Sequence, residues 1–230
     1  MSPILFQGIF HLYMFVLFLV ITSRLFHQYK ETGNRLAKYL GISFLLGGIE
    51  YAFLGVPMLF FPHEFVLLKI TGIIAWIFVY FVLITAWTAV SYVYPKFPLK
   101  PLFVVLTFVF IGIIVYLVSP FVPAFINEAG IIDYADTPAM MVGGLLLTGT
   151  YLPMGLVFFY RAYKKKLYVK GITFGLGLVL NLIFLPISYQ VNNYSTFVFF
   201  TVLAALGMTS IAIGVLLSSS APTPQPQVQS

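Results

Sequence analysis

The sequence has very little charge and no cysteine. Only 8% of its 230 residues are charged and 61% are hydrophobic, whereas a soluble globular domain carries about 25% charged residues. Such a chain cannot cover a folded surface with polar groups in water, so the composition predicts an integral membrane protein. The absence of cysteine excludes disulfides, thiolate metal sites and thiol catalysis.

Seven long apolar segments follow one another, and we number them segments 1 to 7. A helix needs about 20 residues to cross the hydrocarbon core, and uniformly apolar runs of this length do not suit barrel strands. No positive charge precedes segment 1, so we expect a retained helix rather than a signal peptide. The segments are residues 4–22, 39–61, 66–92, 102–118, 140–160, 172–188 and 196–217. We predict an all-α seven-helix bundle over residues 1–217 and a disordered Pro/Ser/Gln tail over residues 218–230.

The positive charges are distributed asymmetrically between the connections. Eleven of the twelve lysines and arginines lie in or beside the first, third and fifth connections, and such residues in short loops mark the cytoplasmic side. We therefore predict a multi-pass protein of the cell membrane with its N-terminus outside and its C-terminus in the cytoplasm. The exception, Lys69, is expected to reach the headgroups or Glu64, with an inward reach toward Glu50 as the alternative. In the acidic fourth connection, residues 119–138, we expect a short helix or a segment on the outer surface.

Segments 2 and 6 share a short pattern. Residues 41–47 (GISFLLG) align with residues 171–177 (GITFGLG) at five identical positions, and one residue of slack then places Glu50 opposite Asn181. This predicts an internal repeat of two three-helix units, residues 4–92 and 140–217, joined by a connector helix at 102–118. The layout resembles, in topology, that of small sugar transporters of the SWEET type, whose Pro-Gln motif these helices lack.

Glu50 is the most unusual residue of the apolar segments, because it lies near the predicted bilayer midplane. Acids at this depth are costly and face the bundle interior or a water-filled cavity, so Glu50 is interpreted as a proton, cation or ligand site. Asn181 and His11 are further candidates. For all three, a hydrogen-bonded contact between helices is the competing interpretation.

Aromatic side chains supply the remaining candidates. Tyr51, Trp76 and Tyr80 are expected to line a pocket, with Trp87 on the same stripe of segment 3, although helix packing explains the pattern equally well. Pro57, Pro153 and Pro186 are expected to kink their helices and free backbone carbonyls. His27 and His63 are expected at the surface.

Several functions are disfavoured. Segment 7 has no lysine for a retinal Schiff base, His11 and Glu50 are too few for a zinc site, and no phosphate loop or nucleophile elbow is present. We therefore expect no enzymatic activity, no cofactor and no nucleic-acid partner.

Two functions stay open. The first is a small-solute transporter or permease in which two three-helix units rock around Glu50 and Asn181. The alternative is a non-catalytic membrane subunit or sensor that acts through a protein partner at the cytoplasmic loops. Besides the lipid bilayer and a small-molecule ligand, the glycine-rich faces at residues 143, 144, 171 and 175 permit a homo-oligomer or close packing within the chain.

Overall fold

Long helices and one two-stranded hairpin make up the computed structural model. It describes residues 1–93, 100–134, 168–189 and 191–217, together with isolated residues between 144 and 164. The helices are α1 (Pro3–Thr32), α2 (Arg35–Phe60), α3 (Phe65–Val93), α4 (Lys100–Val118), α5 (Tyr168–Ser188) and α6 (Tyr194–Leu217). The hairpin pairs β1 (Phe125–Ile126) with β2 (Ile132–Asp133) in antiparallel register.

The predominantly helical character of the prediction is confirmed, since helices form at six of the seven predicted segments. Segment 5 lies largely outside the described residues, as do Pro153 and the tail at 218–230. Among the described residues, four helices are long and apolar enough to cross a membrane. Large apolar side chains also cover their outer surfaces, for example Val16 and Phe199, which is compatible with a lipid bilayer.

The first connection is shorter than the sequence predicts. Helix α1 continues through the polar stretch after Thr22 and ends only at Thr32, and α2 begins at Arg35. Gly33 closes α1 with a φ of 66°, a left-handed conformation that glycine adopts without steric cost. The Asn34 side chain then accepts a hydrogen bond from the Leu36 N–H and caps α2. This two-residue turn folds α2 back along α1.

Glycines of α2 set the distance between α1 and α2. A Cβ atom at Gly41 would lie 3.2 Å from the Phe26 ring, and one at Gly55 would lie 3.0 Å from the Cβ of His11. Gly47 likewise lies directly against Phe18. Small residues at these positions let the helices approach closely. Close packing then stabilises the helix pair, because lipid supplies no hydrophobic driving force for helix association.

Helices α5 and α6 pack still more closely. A Cβ atom at Gly177 would overlap the carbonyl oxygen of Gly207. A Cβ atom at Gly207 would lie 2.8 Å from the backbone nitrogen of Asn181. Gly47 and Gly177 are equivalent in the predicted repeat, yet Gly47 contacts α1 whereas Gly177 contacts α6, the helix at segment 7. Segment 1 is equivalent to segment 5 in that alignment, so the matched glycines pack on non-equivalent partners.

The first and last described helices run in the same direction. Near the start of each helix, the Phe6 and Phe197 rings lie 6.0 Å apart. Further along both, the Tyr13 and Thr209 hydroxyls are 2.6 Å apart. We call the end of the bundle that holds Phe6 and Phe197 the hairpin end, because β1 and β2 pack there.

The described part of the fourth connection, residues 119–134, forms the hairpin. The first of the two expectations, a short helix, is therefore wrong for this part. The Gln7 side chain fixes the hairpin to α1 by two hydrogen bonds with Ile132, donating to its carbonyl at 3.1 Å and accepting from its N–H at 2.8 Å. The Ala124 N–H donates to the Phe65 carbonyl at 3.2 Å, which fixes the hairpin to the start of α3.

Lys69 is buried rather than extended to the headgroups, so that expectation is also wrong. Its side chain is only 2% exposed, and its ammonium donates to the backbone carbonyl of Tyr134. The reason is the hairpin itself, which packs on the start of α3 and is followed by the backbone carbonyl that accepts from Lys69. His27 and His63, by contrast, are exposed as predicted.

The packing at Gly177 yields a stability prediction. Gly177→Ala places a methyl group on the Gly207 carbonyl and should lower the free energy of unfolding by about 1–3 kcal/mol, the usual cost of overpacking. Gly144→Ala is the matched control, because no described residue lies within 4 Å of its Cβ position. Unfolding of both variants in detergent micelles measures the difference. Equal stability of the two variants would contradict the close crossing.

Candidate functional site

The buried face of α1 carries two polar side chains at its hairpin end. Gln7 and His11 lie one helical turn apart and are both 0% exposed, so they point to the same side of α1. Gln7 is satisfied by the backbone of Ile132. His11 therefore lies one helical turn further along α1 than Gln7, the residue that attaches the hairpin.

His11 connects three parts of the chain. Its Nε2 atom lies 2.6 Å from the hydroxyl of Tyr189, the residue that follows the end of α5. Its ring also lies 5.8 Å from the Tyr51 ring of α2, which in turn packs 5.3 Å from Phe18. Gly55 makes this arrangement feasible, because a side chain there would push α1 away.

Glu50 adds a carboxylate to this group. It is half-buried, ten residues before the end of α2, or about 15 Å along the helix axis. Burial raises the pKa of the Tyr189 phenol, and the charge of Glu50 raises it further. Glu50 is therefore close enough to Tyr189 to act on it electrostatically. We name His11, Glu50, Tyr51 and Tyr189 the polar cluster.

The hairpin contributes Tyr134 to the same region. Burial raises the pKa of the Tyr134 phenol, and Tyr189 raises it further, so the two phenols lie near one another. The Tyr134 ring lies against Gly72 of α3, where no side chain would fit. The polar cluster is thus bounded by α1, α2, the end of α5 and the hairpin.

Three buried polar atoms have no hydrogen-bond partner among the described residues. They are Nδ1 of His11, the hydroxyl of Tyr134 and Oγ1 of Thr201. A buried polar group without a partner costs about 1–3 kcal/mol. Whichever tautomer His11 adopts, Nδ1 is then an unpaired donor or an unpaired acceptor. Two of the three, on His11 and Tyr134, belong to the region of the polar cluster.

The remaining sequence candidates lie at helix interfaces. The amide of Asn181 donates to the Ala204 carbonyl of α6 at 3.2 Å. Tyr80 is 1% exposed and packs with Leu83 and Val109, facing Gly112 of α4. Trp76 packs with the hydrophobic cluster that holds Tyr134. The structure thus brings His11, Glu50 and Tyr51 together and gives Asn181 and Tyr80 contacts with other helices.

Sequence reasoning missed Tyr189, Gln7 and Tyr134. Gln7 had a usable signal, since it is a polar residue of an apolar segment four positions before His11. Tyr189 and Tyr134 had none, because they lie at the edges of connections. Their neighbours in the cluster are distant in sequence.

Comparison with protein-family models, with curated proteins and with solved structures gives no match. The chemistry of the polar cluster is therefore the basis for a functional conclusion.

The hydrogen bond between His11 and Tyr189 yields the second prediction. Tyr189→Phe leaves His11 without a hydrogen bond from the described residues and should lower the free energy of unfolding by about 1–3 kcal/mol. Tyr13→Phe is the matched control, because its partner Thr209 keeps a hydrogen bond to the Ala205 carbonyl. Thermal unfolding in detergent distinguishes the two. A smaller loss for Tyr189→Phe than for Tyr13→Phe would refute the role of this bond.

Proposed function

We propose that the chain crosses the bilayer seven times and transports a small solute that binds at the polar cluster. The observation that carries the proposal is the position of Glu50. A carboxylate deep between apolar helices is costly, and residues of this kind usually line substrate or ion pathways. Here Glu50 is accompanied by Tyr51, its neighbour on α2, and by His11, which contacts both Tyr51 and the Tyr189 hydroxyl.

The course of the chain supports seven crossings. Because α1 and α6 run in the same direction, an even number of helix reversals separates them. Residue 134 lies at the hairpin end of the bundle. Thr173, near the start of α5, lies beside Gly214, one of the last residues of α6, and so lies at the opposite end of the bundle. The proposal therefore assigns a crossing to the stretch between these points, where segment 5 was predicted. With the basic connections inside, the hairpin end faces outward.

The topology is testable because the natural chain has no cysteine. Single-cysteine variants Glu128→Cys and Asn193→Cys should react with a membrane-impermeant maleimide in intact cells. Lys30→Cys and Lys164→Cys should react only after the cells are permeabilised. Labelling of Lys30→Cys and Glu128→Cys from the same side would refute the proposed orientation.

Transport is tested by solute flux into proteoliposomes. The assay compares radiolabelled ammonium compounds, sugars, amino acids and carboxylates as separate classes. At least one class should enter, and Glu50→Gln should reduce its initial rate at least tenfold, because the charge that recognises the solute or carries a proton is lost. Glu64→Gln, an exposed carboxyl at the hairpin end, is the control and should retain the wild-type rate.

Two outcomes would contradict the proposal. Absence of flux for every class would exclude transport, and wild-type flux in Glu50→Gln would remove Glu50 from the mechanism. The internal repeat and its rocking mechanism stay a prediction that a solute-bound structure would test.

The second candidate function is a non-catalytic subunit or sensor. The exposure of Tyr163, on the side that we assign to the cytoplasm, favours it, because aromatic side chains are enriched at protein interfaces. Gentle purification and mass spectrometry discriminate between the functions. A stoichiometric partner together with no flux would favour the sensor.

A further inference from the structure

Glu50 has no positive partner in the part of the chain that the structure describes. Its carboxylate makes no hydrogen bond or ion pair there. Lys69, the buried cation of α3, donates to the Tyr134 carbonyl. An ionised carboxylate buried without compensation is strongly unfavourable. A bound cation or a proton at Glu50 would supply the missing positive charge.

The surroundings of Glu50 are aromatic. Tyr51 follows it on α2, Tyr189 is close enough to feel its charge, and Phe18 packs 5.3 Å from Tyr51. The faces of aromatic rings attract ammonium ions, and the attraction grows when water is excluded. Carboxylate and aromatic rings together are the chemistry that recognises an organic ammonium ion.

A metal ion suits these residues less well. The described residues contain no group of three or more His, Cys, Asp or Glu side chains that could hold a metal. Calcium takes six to eight oxygen ligands and zinc takes four ligands. Glu50 and His11 together offer too few ligands for either of them.

The unpartnered polar atoms indicate a second feature of the ligand. Nδ1 of His11 and the hydroxyl of Tyr134 are buried without a hydrogen bond among the described residues. They flank the cluster from α1 and from the hairpin. A ligand with a hydroxyl group near its charged nitrogen would satisfy one of them while the nitrogen lies at Glu50.

We propose that the polar cluster binds a small organic ammonium ion that carries a hydroxyl group. Its nitrogen lies at the Glu50 carboxylate in the neighbourhood of Tyr51 and Tyr189, and its hydroxyl pairs with Tyr134 or His11. This inference names the solute class and so rests on the proposed binding function of the same cluster.

Calorimetry with the purified full chain tests the charge. The probes are choline and 3,3-dimethylbutan-1-ol, which has the same shape without the charge. Choline should bind at least tenfold more tightly. Glu50→Gln should remove this preference, whereas Glu50→Asp should retain part of it and Glu128→Gln, at an exposed site, should retain all of it. Thermal unfolding verifies that each variant is folded.

A second pair of probes tests the hydroxyl. Tyr134→Phe should weaken choline binding several-fold and leave tetramethylammonium binding unchanged, since tetramethylammonium has no hydroxyl to lose. If Tyr134→Phe has no such effect, the measurement is repeated with His11→Phe. If both variants bind choline as tightly as the wild type, the hydroxyl contact is overturned. Equal affinity of choline and its neutral analogue, or no choline binding at millimolar concentration, overturns the ammonium assignment.

Flux separates this inference from the proposed function. If choline binds through Glu50 and no solute class enters proteoliposomes, the ammonium site stands and transport fails. If a neutral or anionic class enters in a Glu50-dependent manner and choline does not bind, transport stands and the ammonium site fails.

Discussion

Gly55 brings α1 into contact with α2 at His11, and the polar cluster depends on that contact. Lipid gives apolar helices no reason to associate, so their packing relies on small residues that permit a close approach and on hydrogen bonds between helices. Gly41 and Gly47 continue the same interface, and Gly177 with Gly207 does the same for α5 and α6. Side chains beside these crossings are held at fixed distances, which is what a binding site requires.

The hairpin closes the cluster from the side that we assign to the exterior. Its attachment uses backbone groups of Ile132 and Tyr134 and side chains of Gln7 and Lys69. Irregular backbone is tolerated near a membrane only where its polar groups find partners, and these helical side chains provide them. Under the proposed function, a ligand that enters from the hairpin end would displace the hairpin, and this would couple occupancy of the cluster to movement.

Sequence patterns predicted the helices closely, because a membrane imposes length and apolarity on each segment independently. The starts of α3, α4, α5 and α6 lie within four residues of the predicted ones. Prediction failed where local pattern and tertiary contact differ. The polar residues after Thr22 were read as a loop, yet they continue α1 until Gly33 ends it. The fourth connection had no helix or strand period, and its hairpin is fixed by contacts with residues far away in sequence.

The polar cluster shows that a polar residue in an apolar segment does not by itself identify a functional site. Glu50, Asn181, His11 and Lys69 were all conspicuous in the sequence, but the structure separates them by what satisfies them. Asn181 and Lys69 donate to backbone carbonyls of neighbouring elements, and such bonds stabilise packing. Glu50 and Nδ1 of His11 have no such partner among the described residues. The partner of Lys69 lies 65 residues away and that of Asn181 lies 23 residues away, so no local pattern could have identified them. Function is best sought at the polar groups that the fold does not satisfy.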